Sequence, residues 1–518
     1  MNAYSYYLYE EGNYFGKISF DLNKGLFYFF ASEDSVSRLV GNFKKICNTY
    51  DITVDTTMNG TFVLQDNTNV CIFNVNDKGV KSVRMFTYRL VDEVLITTSQ
   101  EGDSVEKLDK NFIKNLNSEK LFVGNNFCMA PWIHMYMQSS GFVFPCCKNK
   151  KSVLGNLNNN TLKELWNSDK LKKIRLNMLA DKYVPSCEAC KLNEMRWGNS
   201  YRKFFNSNFS HHFDKVTATN EDGSVDTFNL AYADFRISNL CNFKCRTCSS
   251  HSSSAWYEDE KKLGWKSGKK TIFNVWDNVY PDLPHIVDTA EKINFAGGEP
   301  LMIKEHYDIL DMLVEKKRFD VDLTYNTNFS NLKFFNRDIC QTWKQFNSIT
   351  VKASLDGIKD RGEYIRKGLV WQDFFNNRFY LHKEVPHCTF KIFVTVQIFN
   401  VLHLLEMYTY LTKLKFIDGG IASFHLSFLE QPKIYDIRSL TKEFKLKVTK
   451  AYSEFKEQHN LPIELKQHFN KVLIYMNEKD YDTRSLFKDT TQKLDALRNE
   501  NARNTFPELA DYFDACEL

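Results

Sequence analysis

The sequence predicts an α/β chain whose central part, residues 230–430, is a parallel sheet rolled into a partial (β/α)6 barrel. Two observations predict it. Apolar stretches of strand length recur at 231–238, 292–296, 321–326, 349–355, 390–397 and 422–428. Helical periodicity fills the gaps between them, for example at 304–316, 369–383 and 402–415. Strands that alternate with helices pair in parallel through right-handed crossovers. A third observation sets what precedes the barrel: a small cysteine-rich domain over 119–229, and an N-terminal α+β domain over 1–118. A polar, helical extension fills 431–518.

Bulk composition agrees with several globular domains. The chain has 518 residues, 43% hydrophobic and 25% charged, and its 43 phenylalanines can fill sizeable cores. A net charge of +4 is small for this length and leaves no nucleic-acid footprint. No apolar run approaches the ~18 residues of a membrane span. The N-terminus lacks a basic start and an apolar signal core, so the expected location is cytoplasmic. In that compartment the 13 cysteines are expected as ligands or free thiols rather than disulfides.

In the N-terminal part, two apolar runs flank Asn23-Lys24-Gly25 and two more flank Asn76-Asp77-Lys78-Gly79, which predicts two hairpins. Val36, Leu39, Val40, Phe43 and Ile46 fall at helical spacing. Cys47 and Cys71 lie in or beside apolar runs and read as core thiols. No chemistry is legible there.

The second part carries Cys128, then Gly141, then the adjacent Cys146 and Cys147, and, after an amphipathic stretch at 162–179, Cys187 and Cys190. Four thiolates, from Cys128, Cys146, Cys187 and Cys190, can close a 4Fe–4S cluster or a structural zinc site, and their softness permits either. Cys147 is open as an alternative to Cys146 or as a buried thiol. His134 reads as a packed or hydrogen-bonded ring rather than a ligand.

The barrel opens with Cys241, Cys245 and Cys248, spaced C-x3-C-x2-C directly after its first strand. Three thiolates on one loop hold three corners of a cubane cluster and leave the fourth iron open to a ligand. A zinc site would show paired knuckles and four ligands. Gly297-Gly298-Glu299-Pro300 follows the second strand; glycines allow close backbone approach, and a carboxylate accepts from an ammonium.

Together these motifs resemble the radical S-adenosylmethionine (SAM) superfamily. The run from Phe127 to Cys147, with the later cysteine pair, resembles the SPASM or shortened "twitch" auxiliary domain. The resemblance covers about 120–430, including Tyr232-Ala233-Asp234-Phe235-Arg236 before the cysteine loop. It implies a 4Fe–4S cluster on Cys241, Cys245 and Cys248, with SAM held at Gly297, Gly298, Glu299 and Pro300 and by Ser354 and Arg366. It favours a second 4Fe–4S cluster over zinc at the auxiliary cysteines. Thr247 stands where the family commonly has an aromatic residue against the adenine. The implied reaction is one-electron cleavage of SAM to a 5′-deoxyadenosyl radical that takes hydrogen from a substrate. The implied electron donor is a flavodoxin or ferredoxin, with no nucleic-acid or membrane partner. Relatives point first to a peptide or protein side chain as substrate. A small molecule, such as a nucleotide or sugar derivative, is the alternative. A non-catalytic iron–sulfur protein is a third reading, against which Gly297-Gly298-Glu299 speaks, because an electron carrier needs no SAM site. Asn326 and Gln397 close the third and fifth strands as further polar candidates.

Overall fold

The computed structural model describes residues 106–514, together with the backbone of six strands between Ala3 and Thr87. By compactness the chain divides into Met1–Asp103 and Ser104–Leu518.

The first unit holds β1 (Ala3–Glu10), β2 (Asn13–Asp21), β3 (Leu26–Ala31), β4 (Gly60–Gln65), β5 (Asn69–Asn76) and β6 (Gly79–Thr87) in one sheet in that order. Both expected hairpins are present: Asp21 pairs with Leu26, and Asn76 with Gly79. Only β3 and β4 run parallel. The helix expected on Val36, Leu39, Val40, Phe43 and Ile46 lies outside the described residues, as do Cys47 and the side chain of Cys71.

The second unit is built on a nine-stranded sheet. Its strands are β7 (His134–Met137), β8 (Phe142–Phe144), β9 (Gly155–Asn156) and β10 (Tyr232–Phe235), then β12 (Lys292–Phe295) and β13 (Asp322–Thr327), with the two-residue β11 (Lys244–Cys245) outside the sheet. After the small hairpin of β14 (Lys333–Phe334) and β15 (Arg337–Asp338) come β16 (Ile349–Ser354), the short β17 (Arg366–Lys367), β18 (Thr389–Val396) and β19 (Phe424–Phe428). The six expected barrel strands are β10, β12, β13, β16, β18 and β19, each parallel to the next. Alternation sets the two faces. Ile349, Val351 and Ala353 are buried in the core, while Thr350, Lys352 and Ser354 point the other way and stay half-buried. The second set lines the lumen.

The cysteine-rich segment does not stand apart from this sheet. Its β7 pairs in parallel with β10, His134 opposite Tyr232, and β8 and β9 extend the edge antiparallel. An uncovered β10 would offer a row of unpaired backbone groups, which β7 satisfies. Residues just after 104 also pack here: Ile113 is fully buried in one core cluster with Phe127 and Trp132. The amphipathic stretch at 162–179 is two helices, Leu162–Leu165 and Asp169–Leu179, broken at Asn167-Ser168.

The tail forms helices Lys442–Gln458, Ile463–Met476 and Arg484–Arg498. Phe444, Val448 and Tyr452 form the buried stripe of the first. Leu446, apolar and on the same helix, is 68% exposed, since it lies about half a turn off that stripe. Among the described residues no helix is long and apolar enough to cross a membrane.

Candidate functional site

The loop after β10 carries Cys241, Cys245 and Cys248 to the C-terminal end of the barrel, where parallel sheets place their sites. Cys248 N donates to Cys245 O at 2.9 Å, and β11 pairs with β17, setting Cys245 opposite Arg366. The sulfurs receive donors. Phe243 N lies 3.4 Å from Cys241 Sγ, Asn328 Nδ2 4.0 Å from the same atom, and Arg366 Nη1 3.8 Å from Cys245 Sγ. Burial, with the Glu299 charge nearby, pushes the Cys241 thiol up to about 12. A metal would be needed to hold such a thiol as thiolate at neutral pH.

Gly297 and Gly298 serve the cysteine loop itself. Gly298 N donates to Ser238 O at 2.9 Å and Glu299 N to Leu240 O at 2.8 Å. A Cβ on Gly298 would sit 2.1 Å from Leu240 O, and one on Gly297, at φ +120°, 2.8 Å from Ser238 O. The close approach expected toward a ligand is thus made to the backbone that leads into Cys241. We expect Gly298→Ala to push that loop away, destabilising the fold by about 1–3 kcal/mol or more. Thermal unfolding, with iron counted after reconstitution, checks this.

Glu299 is fully buried at the N-cap of the short helix Pro300–Met302. Its Oε1 accepts from Thr327 Oγ1 at 2.6 Å and Leu301 N at 3.2 Å, and its Oε2 from Asn328 N at 2.6 Å. Three of about four lone-pair sites are taken, which leaves one for a ligand. Burial raises the carboxyl to about 7 despite these donors. Asn328 Nδ2 also donates to Asn242 Oδ1 at 2.8 Å, so the end of β13 ties Glu299 to the cysteine loop. The roles of Thr327 and Asn328 were not read from the sequence, although the polar run at the strand end was visible there.

Arg366 is held by Asp356, Nε to Oδ2 at 2.8 Å, and aims another nitrogen at Cys245. Ser354 is half-buried at the end of β16 on the lumen face. Asn326 turns into the barrel, donating to Asn294 Oδ1 at 3.0 Å. Gln397 is fully buried, with neither amide atom hydrogen-bonded.

The tail reaches back to this loop. Arg246, between two of the cysteines, is completely buried and pairs with Asp495 at 2.5 Å and Glu500 at 2.7 Å. Its guanidinium lies 3.7 Å from the centre of the Tyr364 ring. Lys244 pairs with Asp259 at 2.7 Å, and Asp259 with Arg498 at 2.9 Å. Arg246→Met would leave Asp495 without its buried counter-ion and Glu500 with Lys367 as its remaining cation. Such losses cost about 3–5 kcal/mol. Denaturant unfolding of this variant is expected to show that loss, with less iron retained per chain.

The auxiliary cysteines converge. Cys128, Cys146, Cys187 and Cys190 line one cavity with Met178 and Tyr183. Gly141, at φ +91° in the turn between β7 and β8, allows the hairpin that delivers Cys146. Cys187 and Cys190 sit at the start of helix Glu188–Trp197, whose positive end favours thiolates. Burial pushes the Cys187 thiol up to about 12 and raises Cys128, Cys146 and Cys190 as well. Cys147 does not line this cavity. It lies within hydrogen-bond reach of Tyr201 and faces Asp234 and Arg236. His134 is a packed ring, as expected: Nδ1 lies 2.8 Å from Tyr232 O, and the ring stacks on Tyr232. The donor sets, three thiols on one loop and four around one cavity, fit two iron–sulfur clusters.

Two family models agree with these donor sets. Residues 235–406 match the family model of the radical SAM superfamily, and residues 128–191 that of an iron–sulfur cluster-binding domain, SPASM. A GTP 3′,8-cyclase of Campylobacter lari is 27% identical over 139 residues, 26% of this chain and 38% of that protein. Among solved structures, anSMEcpe with bound AdoMet and a peptide is 17% identical, with TM-score 0.29, over 44% of this chain and 57% of that one. SuiB of Streptococcus suis bound to S-adenosylmethionine is 12% identical, with TM-score 0.27, over 62% and 67%. The chain thus spans less than two thirds of the cyclase and of anSMEcpe.

Proposed function

We propose, from the premise that this chain belongs to the radical SAM superfamily and carries an auxiliary iron–sulfur domain, that it cleaves SAM reductively and acts on a peptide or protein side chain. The observation that carries this reading is the docking of Gly298 and Glu299 on the backbone that leads into Cys241, which joins the carboxylate and the thiols in one rigid unit. When bound, the cluster and SAM supply a 5′-deoxyadenosyl radical that removes hydrogen from the substrate. Cys241, Cys245 and Cys248 hold the cluster. Glu299 receives the methionyl ammonium at its remaining lone pair, with Gly297 and Pro300 shaping the strand end around it. Arg366 donates toward a ligand sulfur while Asp356 keeps it charged, and Ser354 remains available to SAM. The half-buried lumen face shields the reacting groups in part from solvent. Cys128, Cys146, Cys187 and Cys190 hold the second cluster, which a flavodoxin or ferredoxin can serve as electron donor.

The peptide reading rests on the SPASM-type domain, whose relatives often modify peptides. The similarity to a GTP cyclase favours a nucleotide as the second reading. Turnover of GTP by the reduced protein, against turnover of short peptides encoded beside its gene, separates the two.

Two cubane sites require about eight irons per chain. Anaerobic reconstitution is expected to give that count, and replacing Cys128, Cys146, Cys187 and Cys190 by alanine should leave about half. A preparation with four irons and one zinc would remove the second cluster.

A further inference from the structure

We propose that Lys352 and Lys391 form an anion-binding subsite in the barrel lumen, which holds a carboxylate or phosphate group of the substrate. The inference rests on the reading of this barrel as the reaction chamber and adds to it the charge of the molecule that enters.

The two lysines are direct partners in the pairing of β16 with β18, so their side chains leave the sheet side by side on the same face. Like charges placed opposite each other across strands repel. That face is the lumen. Lys352 lies two residues before Ser354 on β16, and its Nζ is 5.6 Å from the centre of the Phe393 ring, which stacks on His425 of β19. Neither lysine has an ion pair or hydrogen bond among the described residues.

The nearby carboxylates are already committed. Asp234 pairs with Arg236 at 3.2 Å and accepts from Asn294 at 3.1 Å. Asp418, which senses the charge of Lys391, accepts from Gly420 N at 2.8 Å and from the Ser423 hydroxyl. Beyond the pair itself, Lys292 adds positive charge at Lys352, and Lys471 adds it at the neighbouring His425. Burial and the neighbouring lysines Lys292 and Lys391 lower the Lys352 ammonium to about 8, outweighing the opposite pull of Asp234 and Cys147. An anion between the two ammonium groups would relieve the repulsion and gain two charge-assisted hydrogen bonds. The position suits a substrate, since Ser354 at the strand end marks the SAM side and Lys352 lies one step deeper.

The reconstituted full-length protein tests this with two probes, inorganic pyrophosphate and an N-acetylated triglutamate peptide. Each is titrated in thermal unfolding and in calorimetry. Wild type is expected to bind at least one of them and to unfold at a higher temperature as its concentration rises. Preference for pyrophosphate points to a phosphate-bearing substrate, and preference for the peptide to a carboxylate; either supports the subsite. Lys352→Met with Lys391→Met should weaken that binding at least tenfold. Without probe, the double variant should unfold no lower than wild type, because a repulsion has been removed. Lys352→Arg keeps the charge and should keep the binding, which guards against loss through misfolding. Binding of both probes equal in wild type and double variant, or no binding by wild type, overturns the proposal. Formation of 5′-deoxyadenosine without substrate is measured on the same preparations. Its absence in wild type would count against the SAM reading and leave the anion result standing.

Discussion

Replacing Cys241, Cys245 and Cys248 together by alanine is expected to abolish formation of 5′-deoxyadenosine under reducing conditions. The loss should be complete, because no protein ligand to that cluster remains. It should be chemical more than structural. The loop keeps its backbone bonds from Gly298 N to Ser238 O and from Arg246 N to Ile365 O. The Arg246 pairs with Asp495 and Glu500 do not involve the thiols. Circular dichroism is expected to match wild type, and about half the iron should remain at the auxiliary cysteines. Product formation at the wild-type rate would refute the assignment of these residues.

Glu299→Gln is expected to weaken SAM binding roughly ten- to hundredfold, since a charge-assisted hydrogen bond contributes ~1.5–3 kcal/mol. The iron content should not change, because no ligand has been replaced. Glutamine also loses an acceptor site among Thr327, Leu301 and Asn328, which places the effect toward the upper end. Calorimetric titration of SAM into the reconstituted protein reads it; equal affinities would reduce Gly297-Gly298-Glu299-Pro300 to a turn.

The same residue predicts a pH dependence. Burial raises the Glu299 carboxyl to about 7, so below that pH it is neutral and cannot pair with an ammonium. SAM affinity should therefore rise as pH increases through about 7. It should fall again once the α-amino group of SAM loses its proton, near ~8 for an ordinary α-amine. Stability of the ligand-free chain moves the other way. Between the ordinary value of 4.5 and about 7 the folded state binds more protons than the unfolded one, so stability declines as pH rises across that window. Glu299→Gln should flatten both profiles.

Much of the candidate site was legible because its chemistry is local in sequence. Cys241, Cys245 and Cys248 fall within eight residues, and Gly297-Gly298-Glu299 are contiguous, so spacing alone reveals them. The six barrel strands were legible because alternating or buried apolar runs of fixed length report the period of a strand. The auxiliary cysteines were readable as a set, but whether Cys146 or Cys147 joined it was not. Adjacent residues on a chain point in different directions, and only the fold shows that Cys146 faces Cys128, Cys187 and Cys190 while Cys147 faces Asp234 and Tyr201.

The sequence by itself determined the parallel barrel, the three-thiol loop and the glycine–glutamate strand end, since each depends on periodicity or on neighbours along the chain. Tertiary structure alone decided the rest. It joined β7 to β10, set Glu299 on Asn328, and brought Asp495 and Glu500 to Arg246 across some 250 positions. It also placed Lys352 beside Lys391. The physical reason is common to all four. Each contact satisfies a buried backbone edge or a buried charge, or leaves a charge unsatisfied, and which groups are buried together is fixed only when distant segments pack.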